Sequence, residues 1–210
     1  MGCYERWILP RLLDLVMRHR EATRYRAQIV PQARGTVLEI GVGSGLNLPF
    51  YDAGVEKIYG LDPSLELLAM AGRRARATAF PVEFLAHPAE AVPLPDASVD
   101  SVVMTWTLCS IADPLRALHE MRRVLRPGGL LLFAEHGLAP EAGVQGWQQR
   151  LDPLWGRIAG GCHLNRKMDA LITAAGFHIR TLHTGYAGGP RPMSYVYAGG
   201  AGRDATPARD

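Results

Sequence analysis

The sequence has few residues suited to metal, disulfide or lysine chemistry. Cysteine occurs three times in 210 residues, at Cys3, Cys109 and Cys162, and no two of these form a CxxC pair. Their odd number and wide spacing argue against a zinc site and a disulfide framework, so no metal is expected. Lysine occurs only at Lys57 and Lys167, and arginine therefore carries nearly all of the positive charge. Unpaired cysteines favour a reducing, cytoplasmic setting.

Long uninterrupted hydrophobic runs are also missing. Residues 1–20 are apolar in part, but Glu5, Arg6, Arg11 and Asp14 interrupt them. This opening is too short and too charged to span a bilayer, and no signal-peptide cleavage pattern follows it. We expect an amphipathic helix that covers an active site, with contact to a membrane surface as the alternative. Stable membrane insertion is not expected.

Two arginine-rich stretches, 18–26 and 73–76, raise the question of nucleic-acid binding. Both fall where apolar positions recur at helical spacing, so solvated helix faces are the favoured interpretation and no nucleic-acid partner is expected. Hydrophobic residues make up 48% of the chain and charged residues 20%, which is an ordinary globular composition. The length suits one domain, and a monomer or a homodimer is expected.

Strands and helices alternate along the chain. Apolar, β-branched runs predict five strands, at 36–40, 57–62, 82–87, 99–107 and 130–136. Helical spacing is clear at 64–77 and 114–125, and the turn "RPGG" at 126–129 is expected to stop the second of these helices. Two further helices should flank Gly160 and Gly161, and "FHIRTLHTGY" and "MSYVYAGG" are predicted to form a final antiparallel pair.

This order is typical of an α/β fold. We predict a doubly wound, mostly parallel, seven-stranded Rossmann-like sheet with helices on both faces and a C-terminal antiparallel strand pair. The expected organisation is an N-terminal helical lid at 1–30, which includes Tyr4 and Trp7, one domain at 31–199, and a flexible tail at 200–210.

The stretch "VLEIGVGSGLNLPFY" at 37–51 is the strongest functional signal. Gly41, Gly43 and Gly45 follow the first strand, where an open parallel sheet binds its ligands. The dinucleotide fingerprint GxGxxG needs a third glycine where this chain has Leu46. Glu39 precedes the glycines, and a carboxylate there suits a cationic ligand better than a pyrophosphate.

Two further signals follow the next strands. Asp62, in "GLDPS", ends the second strand and can accept hydrogen bonds from both hydroxyls of a ribose. The loop "AHPAEAVPLPDASVD" after the third strand can flank an adenine ring, with Ala89 or Glu90 supplying hydrogen bonds. A ribose without pyrophosphate, together with positive charge, describes S-adenosylmethionine. The alternative interpretation is purely structural: the glycines form a tight turn and Asp62 caps the N-terminus of a helix.

In this order, "VLEIGVGSG", "GLDPS", "AEAVPLPDASVDSVV" and "VLRPGGLLLF" resemble the cofactor motifs of the class I S-adenosylmethionine-dependent methyltransferases. The resemblance implies that family's fold, its cofactor and its methyl-transfer activity. Pro88 stands where the family often has an acidic residue, which leaves the Ala89 backbone to meet the adenine. The expected cofactor residues are Glu39, Gly41, Gly43, Gly45, Asn47, Asp62, Pro63, Ala89, Glu90 and Thr105.

The second half resembles one subgroup of that family. The segments "TLCSIADPLRALHEMRRVLRPGG", "WQQRLDPLWGRIAGGCHLNR" and "RPMSYVYAG" are similar to the membrane-associated alkyl thiol methyltransferases of animals and their bacterial relatives. The resemblance implies a soluble bacterial relative that methylates a small thiol or hydrosulfide. The alternatives are N-methylation of a small amine or phospholipid headgroup, and non-catalytic binding of S-adenosylmethionine. Nicotinamide chemistry is disfavoured by Leu46.

Methyl transfer to a thiol needs alignment, exclusion of water and a modest push toward the thiolate. His136, at the end of the fifth strand, and Asp152 are the candidate catalytic residues, although His136 also fits a structural role. Cys162 and His163 are adjacent and are not expected to chelate one metal ion. The candidate residues for the substrate are Trp106, Cys109, Trp147, Trp155 and Arg191.

Overall fold

The computed structural model describes residues 9–203, so Cys3, Tyr4, Trp7 and the end of the predicted tail lie outside the described residues. The helices are α1 (Leu9–Val16), α2 (Arg20–Ile29), α3 (Leu65–Ala75), α4 (Pro114–Val124), α5 (Ala142–Ile158) and α6 (Met168–Ala174). The strands are β1 (Gly35–Ile40), β2 (Val55–Leu61), β3 (Val82–Leu85), β4 (Val99–Thr105), β5 (Leu125–His136), β6 (His178–Tyr186) and β7 (Tyr195–Gly202).

All seven strands form one sheet in the order β3-β2-β1-β4-β5-β7-β6. Strands β1 to β5 pair in parallel, and β7 runs antiparallel to both β5 and β6. The predicted doubly wound sheet with its C-terminal antiparallel pair is therefore confirmed. Because the strand order reverses between β1 and β4, the carboxyl ends of these strands border a crevice, where open α/β sheets bind ligands.

Successive side chains of the central strands point to opposite faces of the sheet. Leu38 and Met104 belong to a core that includes Leu118 of α4, whereas Val37 belongs to a second core with the α2 side. Apolar side chains therefore cover both faces of β1 and β4. This explains why the strand sequences are apolar throughout rather than alternating.

Several element boundaries differ from the sequence prediction. β5 begins at Leu125, so the turn expected at 126–129 lies within the strand as an irregularity: β4 pairs Val99 with Leu125 and then Ser101 with Leu130. β3 ends at Leu85 and β4 at Thr105, each two residues earlier than expected. The sequence missed these features because hydrogen-bond partners, rather than local composition, decide where a strand begins and ends.

The C-terminal boundary also shifts. β7 continues to Gly202, three residues past the expected end of the domain at 199, because Gly202 pairs with Leu130 of β5 and His178 of β6. At the other end, the predicted N-terminal helical region contains α1 and α2 with a break between Val16 and Arg20. Within residues 9–203, no helix has both the length and the apolar character needed to cross a membrane.

Two neighbouring glycines in β7 allow a test of how tightly β6 and β7 pack. A Cβ built on Gly199 would lie 2.0 Å from the carbonyl oxygen of Thr181, whereas the nearest atoms to a Cβ on Gly200 are at 3.5 Å. We expect Gly199→Ala to lower the free energy of unfolding by about 2–3 kcal/mol, because a backbone oxygen must move. Gly200→Ala should change it by less than about 1 kcal/mol. Urea unfolding followed by circular dichroism measures both, and equal stabilities would contradict the packing described.

Candidate functional site

A cavity of about 930 Å³ opens at the carboxyl ends of β1, β2, β4 and β5. Its volume is within the range of small-molecule sites, about 300–1,000 Å³. Apolar side chains from α1 and from the end of α5, among them Leu12, Val16 and Ile158, form part of its wall. The residues predicted from the sequence that line it are Glu39, Gly41, Gly43, Asn47, Asp62, Pro63, Ala89, Glu90, Thr105, Trp106, Cys109, His136 and Trp155.

The glycine turn after β1 presents bare backbone to this cavity. Gly41 has φ +65°, and a Cβ there would lie 2.3 Å from Oγ1 of Thr107. Gly43 has φ +53°, and a Cβ there would meet no atom closer than the Gly41 carbonyl at 3.8 Å. Gly45 differs, because its Cβ would approach Ala71 of α3 at 3.1 Å and it does not line the cavity. Gly41 and Gly43 therefore shape the site, and Gly45 allows α3 to pack.

Asp62 is fixed at the end of β2 by two backbone hydrogen bonds. Its Oδ2 accepts from the Gly43 N–H at 3.0 Å, and its Oδ1 accepts from the Ser64 N–H at 2.9 Å. Burial raises the pKa of Asp62, although these two bonds oppose the shift. Each carboxylate oxygen has a second lone pair, so Asp62 can still accept two hydrogen bonds from a ligand diol.

A buried polar network lies beneath the glycine turn. Glu39 accepts hydrogen bonds from Asn47 Nδ2 at 3.0 Å and from the Tyr51 hydroxyl at 2.9 Å. Arg26 Nε donates to Asn47 Oδ1 at 3.0 Å. Burial raises the pKa of Glu39 to about 7, despite these hydrogen bonds and the charge of Arg26. At neutral pH the carboxyl is therefore poised between its neutral and ionised forms.

Arg26 corrects the expectation that residues 18–26 form a solvated face. Its side chain is buried, and its guanidinium also donates to the Met17 carbonyl at 2.7 Å. Sequence reasoning missed Arg26 and Tyr51 as site residues, although Tyr51 ends the stretch 37–51, because each reaches Glu39 or Asn47 only through the fold.

Helix α1 is attached to the glycine turn through Asp14. The Asp14 carboxylate accepts from Ser44 Oγ at 2.6 Å and from the Arg74 guanidinium at 2.9 Å, and it also pairs with Arg18. Burial alone would raise the pKa of Asp14, but the Ser44 hydrogen bond and the two arginine charges lower it. The carboxylate thus stays ionised and joins α1, the turn after β1 and α3.

Glu135 organises the turn after β4. Its carboxylate accepts hydrogen bonds from the backbone N–H of Thr107 at 2.9 Å and of Cys109 at 3.3 Å. Burial raises the pKa of Glu135 to about 7, against these bonds. In the same turn Trp106 adopts φ +57°, which ends β4 and turns its indole to line the cavity.

Two thiols and a histidine meet on the wall beyond this turn. The Cys162 sulfur lies 3.5 Å from the Cys109 sulfur and 3.8 Å from Nδ1 of His136, and both cysteines are free. The Cys109 thiol and His136 lower the pKa of Cys162, whereas the pKa of Cys109 lies well above its usual value because of Cys162 and burial. Sequence reasoning considered Cys162 only as a metal ligand. Among the described residues no group of three or more His, Cys, Asp or Glu side chains could hold a metal ion.

Four buried polar atoms on the cavity wall find no hydrogen-bond partner among residues 9–203. They are Nε1 of Trp106, Nε2 of His136, Nε1 of Trp155 and Oγ of Ser194. Buried polar groups are normally paired, so atoms of this kind mark where a ligand would bind. Trp106 follows β4, His136 ends β5, Trp155 belongs to α5 and Ser194 precedes β7.

Four predicted residues do not line the cavity: Gly45, described above, and Trp147, Asp152 and Arg191. Trp147 is 57% exposed and lies eight residues before Trp155, about 12 Å away along the axis of α5. Asp152 is buried but engaged, with His163 Nδ1 at 2.9 Å and the Leu164 N–H at 2.6 Å. Arg191 pairs with Glu141 at 2.5 Å and stacks over the ring of Tyr186. Asp152 therefore holds the segment after Cys162 instead of facing a ligand.

Comparison with known proteins agrees with the fold. A family model described as a methyltransferase domain matches residues 38–133. Thiol S-methyltransferase TMT1B of Rattus norvegicus is 39% identical over 137 residues, which are 63% of this chain and 55% of the rat protein. This chain therefore spans about half the length of that relative.

Two further comparisons cover most of the chain. Demethylmenaquinone methyltransferase of Thermus thermophilus is 31% identical over 200 residues, covering 82% of this chain and 90% of that protein. The solved structure of an S-adenosylmethionine-dependent methyltransferase from Methanosarcina mazei has a TM-score of 0.65 and 23% identity, with 81% of this chain and 92% of the other covered.

The fold is that of the α/β proteins that bind their ligands at the carboxyl edge of a mostly parallel sheet. The chain belongs to the S-adenosylmethionine-dependent methyltransferase family, as the motifs implied. S-adenosylmethionine is the cofactor of this family.

The attachment of α1 can be tested at Asp14. We expect Asp14→Asn to weaken charged hydrogen bonds worth about 1.5–3 kcal/mol, so that α1 amides exchange with solvent roughly ten- to a hundredfold faster. Hydrogen exchange with mass spectrometry measures the change. Asp52→Asn is the matched control, since Asp52 is exposed and pairs with Arg34 away from the cavity. Unchanged exchange in Asp14→Asn would mean that apolar contacts alone hold α1.

Proposed function

We propose that this protein transfers the methyl group of S-adenosylmethionine to a small thiol or hydrosulfide. When bound, the cofactor supplies a methyl group already activated by its sulfonium centre. Asp62 would accept from the ribose hydroxyls, Glu39 would face the cationic end, and the Gly41–Gly43 backbone would allow close approach. Pro63, Ala89 and Glu90 would border the adenine. The free lone pairs of Asp62 and the open side of Gly43 support this fit.

Thr105 and Asn47 would act indirectly on the same cofactor site, by holding Glu39. Asn47 Nδ2 donates to Thr105 Oγ1 at 3.0 Å as well as to Glu39, so these side chains hold the Glu39 carboxylate in place. A fixed carboxylate needs little reorganisation when a cation binds, which favours affinity. Apolar contacts from Leu12 and Val16 would exclude water from the methyl donor and the acceptor.

The single observation that favours a thiol acceptor is that the strand order places carboxylates on one side of the cavity and unpartnered N–H and O–H groups on the other. The lining carboxylates, Asp14, Glu39, Asp62 and Glu90, belong to or contact the turns after β1, β2 and β3. The unpartnered atoms on the β4, β5 and β7 side are two indole N–H groups, one hydroxyl and one imidazole nitrogen. Such donors stabilise an anion such as a thiolate. An amine acceptor would need a carboxylate or tyrosine cage, and the described lining on this side has neither.

His136 is the residue that would move the acceptor proton. Its Nε2 is buried and without a partner among the described residues, while Nδ1 faces Cys162 at 3.8 Å. A free thiol has a pKa of about 8.5, so a neutral imidazole within reach of it supplies enough push at neutral pH. Trp106, Trp155 and Cys109 would form the acceptor wall. Asp152 would act as a positioning residue, and direct roles for Trp147 and Arg191 stay predictions without support from their positions.

A second candidate is C-methylation of a reduced naphthoquinone. This candidate is favoured by the 31% identity to the demethylmenaquinone methyltransferase of Thermus thermophilus. The match covers 90% of that protein. The same N–H and O–H donors could hold the phenolate oxygen of such a ring. The cavity is large enough for a bicyclic acceptor as well as for a thiol.

An acceptor panel with methyl-labelled S-adenosylmethionine tests the proposal. We expect label to enter hydrosulfide and short alkyl thiols, and not a naphthoquinol or an ethanolamine lipid. His136→Gln should lower the rate at pH 7 by about a hundredfold, with a smaller defect at higher pH where the thiol ionises unaided. His119→Gln, at an exposed position on α4, is the matched control.

The other outcomes of the panel are equally informative. Label only in the quinol or only in the lipid would reassign the acceptor. Binding of S-adenosylhomocysteine without turnover on any acceptor would indicate a non-catalytic binding protein. If Asp62→Ala keeps the fold but no longer binds S-adenosylhomocysteine, either result would be assigned to the proposed cofactor site at Asp62.

The raised pKa of Glu39 predicts a pH dependence of cofactor binding. A cationic ligand favours the ionised carboxylate, so binding below pH 7 must release the Glu39 proton. The affinity for S-adenosylmethionine should therefore rise by up to about tenfold per pH unit between pH 5 and pH 7 and level off above it. Calorimetry in buffers of different ionisation enthalpy measures the released proton. Glu39→Gln should abolish this slope and Glu56→Gln, exposed on β2, should retain it; a slope that survives in Glu39→Gln refutes the assignment.

A further inference from the structure

The geometry of the cavity wall points to a second chemistry, which does not depend on the proposed acceptor. We infer that Cys162 and Cys109 form a reactive dithiol that is oxidised by low-molecular-weight disulfides to an intramolecular Cys109–Cys162 disulfide. The two residues are 53 positions apart in sequence, and neither forms a disulfide within residues 9–203. Oxidation would modify the side of the cavity near His136, where the acceptor is proposed to bind. It would leave the side near Glu39 and Asp62 unchanged.

The backbone already holds the two thiols close together. The N–H of His163 donates to the carbonyl of Cys109 at 2.8 Å, which joins the turn after β4 to the loop after α5. The sulfur atoms are 3.5 Å apart, and a disulfide of about 2.05 Å needs an approach of roughly 1.5 Å. Cys162 follows Gly160 and Gly161, whose φ values of +63° and +85° belong to a loop that can adjust.

The pair is asymmetric in access. Both cysteines line the cavity, but Cys162 is partly exposed, whereas Cys109 is only 3% exposed. An incoming disulfide therefore meets Cys162 first. The Cys109 buried beside it can then attack the mixed disulfide without diffusing, as resolving thiols do.

The electrostatics agree with that order of reaction. The Cys109 sulfur at 3.5 Å and Nδ1 of His136 at 3.8 Å both lie beside the Cys162 sulfur and lower its pKa, although burial opposes this. The neighbouring Cys162, burial and the charge of Glu135 raise the pKa of Cys109. The positive charge of Arg166 also faces this cluster from the segment after α5. Thiolates are the reactive form in thiol–disulfide exchange, so Cys162 attacks and Cys109 resolves.

The reaction balances with a disulfide RSSR as the oxidant. The Cys162 thiolate attacks one sulfur of RSSR, the S–S bond breaks, and RS⁻ leaves and takes up a proton as RSH. Cys109 then gives up its proton and attacks the Cys162 sulfur, the mixed disulfide breaks, and the second RS⁻ leaves with that proton. Two protein thiols are oxidised by two electrons, and one RSSR is reduced to two RSH.

The disulfide would lie against His136 and close to Trp155, both on the acceptor side of the cavity. Glu39, Asp62 and the glycine turn make no hydrogen bond to either cysteine among the bonds described for residues 9–203. Oxidation should therefore leave S-adenosylhomocysteine binding unchanged within about twofold. If the acceptor is a thiol, as proposed above, its own oxidised form would be a suitable oxidant.

The test uses the full-length protein with Cys3→Ser, so that Cys109 and Cys162 are the only thiols. The reduced protein is treated with hydroxyethyl disulfide, and intact mass and peptide mapping follow the products. We expect the loss of two hydrogens and a cross-linked Cys109–Cys162 peptide, which dithiothreitol reverses. Cys109→Ser should stop at a stable mixed disulfide on Cys162, and Cys162→Ser should leave Cys109 largely unmodified.

A kinetic measurement keeps the inference falsifiable if a variant folds poorly. In the Cys3→Ser protein, iodoacetamide should alkylate Cys162 at neutral pH at least about tenfold faster than Cys109. Adducts on both cysteines without a cross-link, or earlier reaction at Cys109, would overturn the inference. Because these readouts need no methyl transfer, a failed acceptor panel would leave the dithiol result intact, and the reverse also holds.

Discussion

The hydrogen bond from the Gly43 N–H to the Asp62 carboxylate is the contact on which the site depends most. It joins the turn after β1 to the end of β2 at 3.0 Å, and the second oxygen of the same carboxylate accepts from Ser64, whose own hydroxyl caps α3. Gly43 has φ +53°, a conformation that costs glycine little. The Asp62 carboxylate thereby joins the glycine turn, the end of β2 and the start of α3.

Helix α1 extends the same arrangement over the cavity. Asp14 reaches Ser44 in the glycine turn and Arg74 in α3, so the helix, the turn and the sheet are joined by charged hydrogen bonds. An eight-residue helix has little stability of its own. Its position over the cavity therefore depends on these contacts, and any closure of the site would involve them.

The strand order separates two chemical environments within one cavity. Carboxylates gather at the turns after β1, β2 and β3, which suits a ribose and a positive charge. N–H, O–H and S–H groups gather at β4, β5, β7 and α5, which suits an anionic sulfur acceptor and also brings two cysteines together. Methyl transfer to a thiol and oxidation of the Cys109–Cys162 pair would use the same donors and the same imidazole. The redox state of the pair would then decide whether the acceptor end is open.

The sheet, the glycine turn and the acidic residue after β2 could be predicted from the sequence, because each depends on residues adjacent along the chain. Apolar runs of strand length, glycines that permit positive φ, and an acidic residue at a strand end can all be recognised locally. Three contacts could not be predicted and follow from the folded arrangement: Arg26 is buried against Asn47, Cys162 meets Cys109, and Asp152 contacts His163. These contacts join segments 11 to 53 residues apart. Local periodicity does not record which side chains meet across such distances, since the packing of helices and loops against the sheet brings them together.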